Sequence, residues 1–228
     1  MTTAVFPYEA DLCLALNRGL RAVLPRRPSP DEAFFVAEEV HVGTIIADVV
    51  ILKTSRSRVI GSAAKRPSLS LFEACVLAEL LAGEPRRFNT LVNRTALRSQ
   101  TADAALTRLS KIGMVRRTAS GAYALADSGI LPSGHLIAIE AKLTRWRDAI
   151  SQAEAYLTFA NQSFVALPKA VVETAGGLRQ ACRLAGVGLL SVSYRNVEVA
   201  LEAPVTSQSS AEWLWVMSKS TPLLRPLH

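Results

Sequence analysis

The sequence predicts an α/β protein: a mixed central sheet flanked by helices, with a smaller helical subdomain spliced between two of its strands. Three observations predict this. Five short stretches, "FFVAEEVHV", "TIIADVVIL", "LIAIEAKL", "SFVALP" and "VGLLSVS", are rich in β-branched and other apolar residues, as strands are. Helical periodicity precedes the first of them and separates the last three. The stretch between the second and third changes character: residues 53–126 hold thirteen Lys/Arg against four Asp/Glu, a balance of +9 in a chain whose total is +7. At 228 residues and half apolar, the chain can bury one large core or two small ones.

In "PYEADLCLALNRGLRAVL", Leu12, Leu16, Leu20 and Val23 recur at helical spacing; Glu9 falls at the N-terminal end of that stripe and Asp11 points aside. Two strands follow with Gly43 as the turn between them. The second is nearly all apolar, as in a strand covered on both faces, yet Asp48 stands in its middle. "KTSRSRVIGSAAKRPS", residues 53–68, is small, basic and weakly periodic, so it reads as a connection. Beyond it, Leu71, Cys75, Ala78 and Leu81 or Ala82 make a helical face that stops at Gly83. "FNTLVNRTAL" gives a second helix with Leu91, Val92 and Ala96 or Leu97 inward. "SQTADAALTRLSKIG" gives a third, with Ser99 as N-cap, Ala102, Ala105, Leu106 and Leu109 inward, and Gly113 closing it. "MVRRTASGAYALA" then reads as a hairpin around residues 119–122.

Three helices followed by a hairpin, with "LTRLSKIGMVRR" at the junction, resemble a winged helix-turn-helix domain of bacterial regulators over about residues 68 to 126. The resemblance implies a third helix in the major groove and a wing on backbone or minor groove. On that basis Gln100, Thr101, Ala104, Arg108 and Lys111 face DNA, with Arg116 and Arg117 in the wing. The charge excess independently favours a polyanion such as nucleic acid. The plainer readings are a solvated basic face and a winged helix used for protein contacts.

Downstream of the insert, strand alternation puts Ile137, Ile139, Ala141 and Leu143 on one face and Leu136, Ala138, Glu140 and Lys142 on the other. Charges in central strands need a reason, because burying them is expensive unless they are paired or hold a metal. In "TRWRDAISQAEAYLTFAN", Thr144 is the N-cap, while Trp146, Ala149 or Ile150, Ala153, Leu157 and Ala160 pack on the sheet. Gln152 and Tyr156, at i and i+4, share a face. A helix around residues 170–185 separates the last two strands. In the C-terminal "TSQSSAEWLWVMSKSTPLLRPLH", Trp213 and Trp215 are expected to pack on the core rather than form a dimer contact.

An acid in one strand, Glu-x-Lys in the next and Gln-(x)3-Tyr on the following helix resemble the PD-(D/E)xK nuclease superfamily, nearest its RecB-like or resolvase-like branches. The matching motifs are "ADVVIL" with Asp48, "IEAK" with Glu140 and Lys142, and "QAEAY" with Gln152 and Tyr156. Ala47 replaces the proline of the family's name, and the acids are separated by the long insert, which requires both insert ends to lie close together at the sheet edge. The resemblance implies a restriction-endonuclease-like core over 1–55 and 128–228, with 56–127 as linker plus winged helix. It also implies Mg²⁺ or Mn²⁺ held by Asp48 and Glu140. Oxygen ligands suit such a cation, which polarises a phosphoryl group and lowers the pKa of water. Lys142 then orients or deprotonates the attacking water, and Gln152 and Tyr156 position water or the DNA backbone. A further acid often comes from the first helix in this superfamily, here Glu9; Glu38 and Glu39 on the first strand compete for that place. His41 and His135 are more often packing or solvent residues than cleft residues.

Cys13, Cys75 and Cys182 lack metal-site spacing and read as buried thiols. No Gly-rich phosphate loop or nucleophile-elbow serine motif is present. The N-terminus lacks a basic region before an apolar core, and no apolar run approaches the roughly 20 residues of a membrane span, so a cytoplasmic protein is expected. The reading is therefore a metal-dependent deoxyribonuclease that holds DNA through its inserted domain, with a homodimer as a second partner if both strands are cut. Its rival is a non-catalytic DNA-binding transcriptional regulator that uses the nuclease-like core as a scaffold or dimerisation domain.

Overall fold

The computed structural model describes residues 6–24, 29, 31–55, 68–81, 83–126, 134–208, 210–220 and 225–226, which divide into two compact units. Most of the connection expected at 53–68 lies outside the described residues. The first unit runs to Ser55, resumes at His135, continues to Ser207 and recovers the chain end at 225–226.

In this unit α1 (Glu9–Gly19) and a 3₁₀ turn (Leu20–Val23) precede β1 (Glu32–Val42) and β2 (Ile45–Ser55), joined through Gly43 at φ 62. That left-handed turn suits glycine, as the sequence suggested. After the insert come β5 (His135–Ala141), α5 (Trp146–Tyr156) and β6 (Gln162–Pro168), then α6 (Lys169–Thr174), α7 (Leu178–Leu184), β7 (Gly188–Val192) and β8 (Val197–Leu201). The single helix expected near 170–185 is two, because the chain breaks around Gly177 at φ 76. Arg145, not Thr144, is the N-cap of α5.

The strands form one mixed sheet in the order β8-β7-β6-β5-β2-β1, edged by the two-residue β9 (Arg225–Pro226). β5, β6 and β7 are parallel; β1–β2, β2–β5, β7–β8 and β1–β9 are antiparallel. One face packs against α1: Leu12, Leu16 and Leu20 meet Val49, Ile51, Ile137 and Ile139. The other meets α5 to α7, where Ala149, Ile150 and Ala153 join Val165, Leu167, Leu178 and Cys182. The fold is thus a mixed α/β architecture with helices on both faces of a central sheet. Lys53 pairs with His135, so the insert leaves and re-enters on two adjacent strands. Those strands are interior to the sheet and not at its edge; the closure is made at a strand end.

The second unit holds α2 (Leu71–Leu81), α3 (Phe88–Thr95), α4 (Ser99–Lys111) and the hairpin β3 (Val115–Arg117) with β4 (Tyr123–Leu125). It also takes in the chain from Gln208 through α8 (Ala211–Ser220), which packs on α2 and buries Trp213, Leu214, Val216 and Met217. The C-terminal tryptophan region therefore belongs with the insert and not with the sheet. Helix α2 buries Glu73, Ala74, Val76, Leu77 and Leu80, not the Leu71–Cys75–Ala78 face. The helix is apolar nearly all round, so periodicity alone did not fix its phase. Helix α4 buries Ala102, Ala105, Leu106 and Leu109 as expected, though Arg98 and not Ser99 is its N-cap. Among the described residues no helix is long and apolar enough to cross a membrane.

Candidate active site

The antiparallel ladder between β2 and β5 ends at Val49–Ile139, so the next two opposed positions are Asp48 and Glu140. Beyond that point β5 stays paired with β6, through Ala141–Ala166 and the Lys142 amide donating to the Ala166 carbonyl at 3.1 Å. β2 and β5 therefore part like a fork, and the fork presents both acids. Asp48 Oδ2 accepts the Ala141 amide at 2.8 Å, so a side chain stands in for the departed strand.

Glu140 is 1% exposed and satisfied at both oxygens. Oε1 lies 2.9 Å from Lys142 Nζ, and Oε2 accepts from the Tyr156 hydroxyl. Tyr156, fully buried at the end of α5, also donates to the Ile46 carbonyl at 2.7 Å. Its single hydrogen is thus shared between β2 and β5. Lys142 Nζ lies 3.8 Å from Glu9 Oε2, which brings the first turn of α1 to the cluster.

Burial raises the proton affinity of Asp48, against the pull of the Ala141 amide and Lys142, with Glu9 and Glu39 adding to the rise. Glu140 is raised for the same first reason, partly offset by its bonds from Tyr156 and Lys142. Burial alone lowers Lys142, but Glu140, Asp48 and Glu9 outweigh it and push the ammonium above its ordinary value. Lys142 is therefore cationic at neutral pH. Burial and Glu140 drive Tyr156 upward as well, so its hydroxyl stays protonated. Cys13 on α1 is pushed up to about 11 by burial and by Asp48 and Glu9. It borders the cluster as a neutral thiol, which nothing in its sequence context signalled.

Among the described residues no group of three His, Cys, Asp or Glu side chains converges as a ready-made metal site. Two carboxylates, Asp48 and Glu140, do stand at opposed positions of β2 and β5. Asp48 Oδ1 has no protein donor among the described residues. The proton affinity of both acids is raised by burial, a strain that a bound cation relieves. Hard oxygen donors, few in number, suit a cation that keeps most of its waters, such as Mg²⁺ or Mn²⁺. Asp48 Oδ1 is open to such an ion, and Glu140 would join it by giving up its bond from Lys142 or from Tyr156.

The structure thus brings together Asp48, Glu140, Lys142, Tyr156 and Glu9, but not Gln152. That side chain is exposed and makes no hydrogen bond to the cluster. Helix α5 turns Ala149, Ala153 and Tyr156 to the sheet, and a residue one turn before Tyr156 is rotated out of line. Tyr156 itself contacts Glu140 from behind and is not placed to touch DNA. Of the competing acids, Glu39 stands opposite Asp48 at φ 51, while the register continues on both sides through Glu38–Val49 and Val40–Ala47. This left-handed kink leaves both Glu38 and Glu39 exposed, so strict alternation does not choose between them. Glu39 is the one whose charge reaches Asp48. His135 sits at the opposite end of β5, its Nε2 2.9 Å from Gln162 Oε1, and His41 is exposed; neither joins the cluster.

In the second unit Gln100, Ala104, Lys111, Arg116 and Arg117 are exposed and Thr101 is half-buried. Arg117 is partly occupied, its Nε 3.4 Å from the Gly121 carbonyl and its guanidinium 5.9 Å from the centre of the Tyr123 ring. Arg108 is exposed over nearly half of its side chain but already engaged within the unit. It pairs with Glu73, which is 4% exposed, and donates to the Ser68 carbonyl at 3.0 Å. Glu73 Oε2 accepts the Ser70 amide at 2.7 Å while Ser70 Oγ accepts the Glu73 amide at 3.2 Å, so Arg108 clamps a capping box. The "SLFE" at 70–73 carried that signal.

No protein-family model matches the chain, and no curated protein matches it. Among solved structures, the SPO1766 protein of unknown function from Silicibacter pomeroyi is similar over 91% of this chain and 80% of that one. The identity is 13% and the TM-score 0.41, a likeness too distant to carry a functional argument.

Proposed function

We propose that the chain is a metal-dependent deoxyribonuclease of the PD-(D/E)xK type, with a restriction-endonuclease-like core and an inserted winged helix that holds DNA. The observation that carries this reading is the fork. Asp48 and Glu140 emerge side by side where β2 leaves β5, and Lys142 lies two residues on with its Nζ 2.9 Å from Glu140. Mg²⁺ or Mn²⁺ held there would polarise a phosphoryl oxygen and lower the pKa of a water.

The chain's own groups do the rest. Lys142, cationic under the influence of Glu140, Asp48 and Glu9, stabilises the negative charge that grows on the phosphate as the bond breaks. Tyr156 fixes the Glu140 carboxylate through Oε2, and the Ala141 amide fixes Asp48. Gln100, Lys111, Arg116 and Arg117 offer exposed polar and cationic groups for DNA on the second unit.

A second reading, a DNA-binding regulator with an inert core, is favoured by one observation: both Glu140 oxygens are already satisfied within the chain. Incubating supercoiled, linear, single-stranded and branched DNA with Mg²⁺ or Mn²⁺, beside an EDTA control and Lys142→Ala, separates the two. The nuclease reading expects metal-dependent cutting that Lys142→Ala abolishes. Salt-sensitive DNA binding without any cutting gives the regulator.

A further inference from the structure

The first unit carries a cationic pocket away from the fork that no motif in the sequence accounts for. It lies between the end of α1 and the β7–β8 turn, has a volume of about 400 Å³, and is lined by Arg18, Arg21, Tyr194, Arg195 and Asn196. Neither Arg18 nor Arg195 is paired with a carboxylate among the described residues. Glu198 touches the rim, accepting from Asn196 Nδ2 at 3.0 Å. A cation in the last turn of a helix complements the helix dipole, which accounts for Arg18. It does not account for Arg195 in a β-turn facing the same cavity.

Two features make the pocket a prepared surface. Tyr194 is 47% exposed, while its ring packs on buried Phe6 with centroids 4.3 Å apart, so one face is held and the rest is open. The two walls are fixed to each other at Gly19, where an added Cβ would stand 2.3 Å from Val197 Cγ2. Arginines around an immobilised aromatic ring are the combination that binds a phosphate together with an unstacked base, because the ring accepts any base and the guanidiniums accept the backbone.

We propose that this pocket binds a phosphate and the adjacent base of a single-stranded segment of the nucleic-acid substrate. The proposal rests on the nuclease reading for its direction. Glu9, 3.8 Å from Lys142, and Arg18 are on the same helix. Their separation is roughly 14 Å at 1.5 Å per residue, which a strand covers in about four nucleotides at 3.4 Å each. The same nine residues turn Arg18 about half a revolution from Glu9, so a strand reaching the pocket from the fork crosses the solvent side of α1, where Leu14 is exposed.

The test uses the full chain carrying Lys142→Ala, in EDTA, with short oligothymidine and a matching duplex titrated over a range of salt. Arg18→Gln and Arg195→Gln are each expected to flatten the single-strand log K against log salt slope by about 0.7. Tyr194→Leu is expected to weaken single-strand binding about tenfold, leaving the slope unchanged and duplex binding nearly so. Thermal unfolding of each variant guards against misfolding, and Lys substitutions at 18 and 195 should restore the slope. Unchanged slopes in folded variants overturn the proposal. So does saturable binding of inorganic phosphate or a mononucleotide at these arginines with oligothymidine binding unaffected, which would make the pocket a small-anion site. If the chain bearing native Lys142 cuts DNA while the arginine variants bind as before, only this proposal fails. If it cuts nothing while the slopes flatten, the nuclease reading fails and the pocket stands.

Discussion

At the scale of single residues the cluster is built on conflict, and the conflict is measurable. Asp48 and Glu140 sit where burial opposes their charge. A carboxyl whose folded pKa lies above its unfolded value binds more protons folded than unfolded, so stability falls as pH rises from the ordinary carboxylate value through the raised one. For Asp48 that window opens at 3.8 and for Glu140 at 4.5. Asp48→Asn keeps an oxygen for the Ala141 amide and removes the charge, so without divalent metal it is expected to raise Tm at neutral pH. That gain should vanish as pH falls below the Asp48 window, which Tm against pH in EDTA will read. Lys142 acts with the opposite sign of charge: its stabilising contribution is complete below its ordinary value and is lost only as pH passes the raised one. Tyr156→Phe leaves Glu140 Oε2 and the Ile46 carbonyl to share no donor in a buried place, at a cost of about 1–3 kcal/mol in urea unfolding. Asp48, Glu140 and Lys142 were legible because strand alternation reveals a charge that points the wrong way. Gln152 stands outside the bonded cluster because i and i+4 positions share a side only approximately, and the packing of Ala153 and Tyr156 decides the rest.

At the scale of elements, the joints between neighbours carry the specific energetics. Arg108→Met should cost roughly 1–2 kcal/mol, since it strands the buried Glu73 carboxylate while its own guanidinium is partly in water. On the DNA-binding reading proposed for this chain, the same variant should leave the salt slope of binding unchanged, whereas Arg116→Gln should flatten it by about 0.9 for duplex. Ser70→Ala, which removes one half of the capping box, is expected to cost about 1 kcal/mol. Gly19→Ala should destabilise by about 1–3 kcal/mol, because the new methyl meets the stiff, buried Val197 side chain. Strands β1, β2 and β5 and helix α4 could be read from periodicity and their glycine stops. The phase of α2 could not, since an almost wholly apolar helix has no polar face to orient it; its buried acid is held locally by Ser70 in the capping box and from afar by an arginine 35 residues away.

At the scale of the molecule, the chain divides its C-terminal segment between two units. Helix α8 completes the second, and β9 returns to pair with β1 in the first. Truncation after Ser207 is expected to strip hydrogen-exchange protection from α2, which loses its cover of Trp213, Leu214, Val216 and Met217. The amides of β5 and β6 should keep theirs. By itself the sequence determined the mixed α/β sheet flanked by helices, the strand pair that frames the fork, the placing of Asp48, Glu140 and Lys142 at neighbouring strand positions and the concentration of positive charge in the insert. Each of these is written in neighbouring residues, as a period, a turn glycine or a charge set in an apolar strand. Tertiary structure alone decided that Glu9 reaches Lys142, that Tyr156 stands behind Glu140, that Arg108 clamps Glu73 and that Arg18 and Arg195 face one cavity. These are meetings of residues far apart in the chain, and only the register of the strands and the rotation of the helices bring them within a few ångströms.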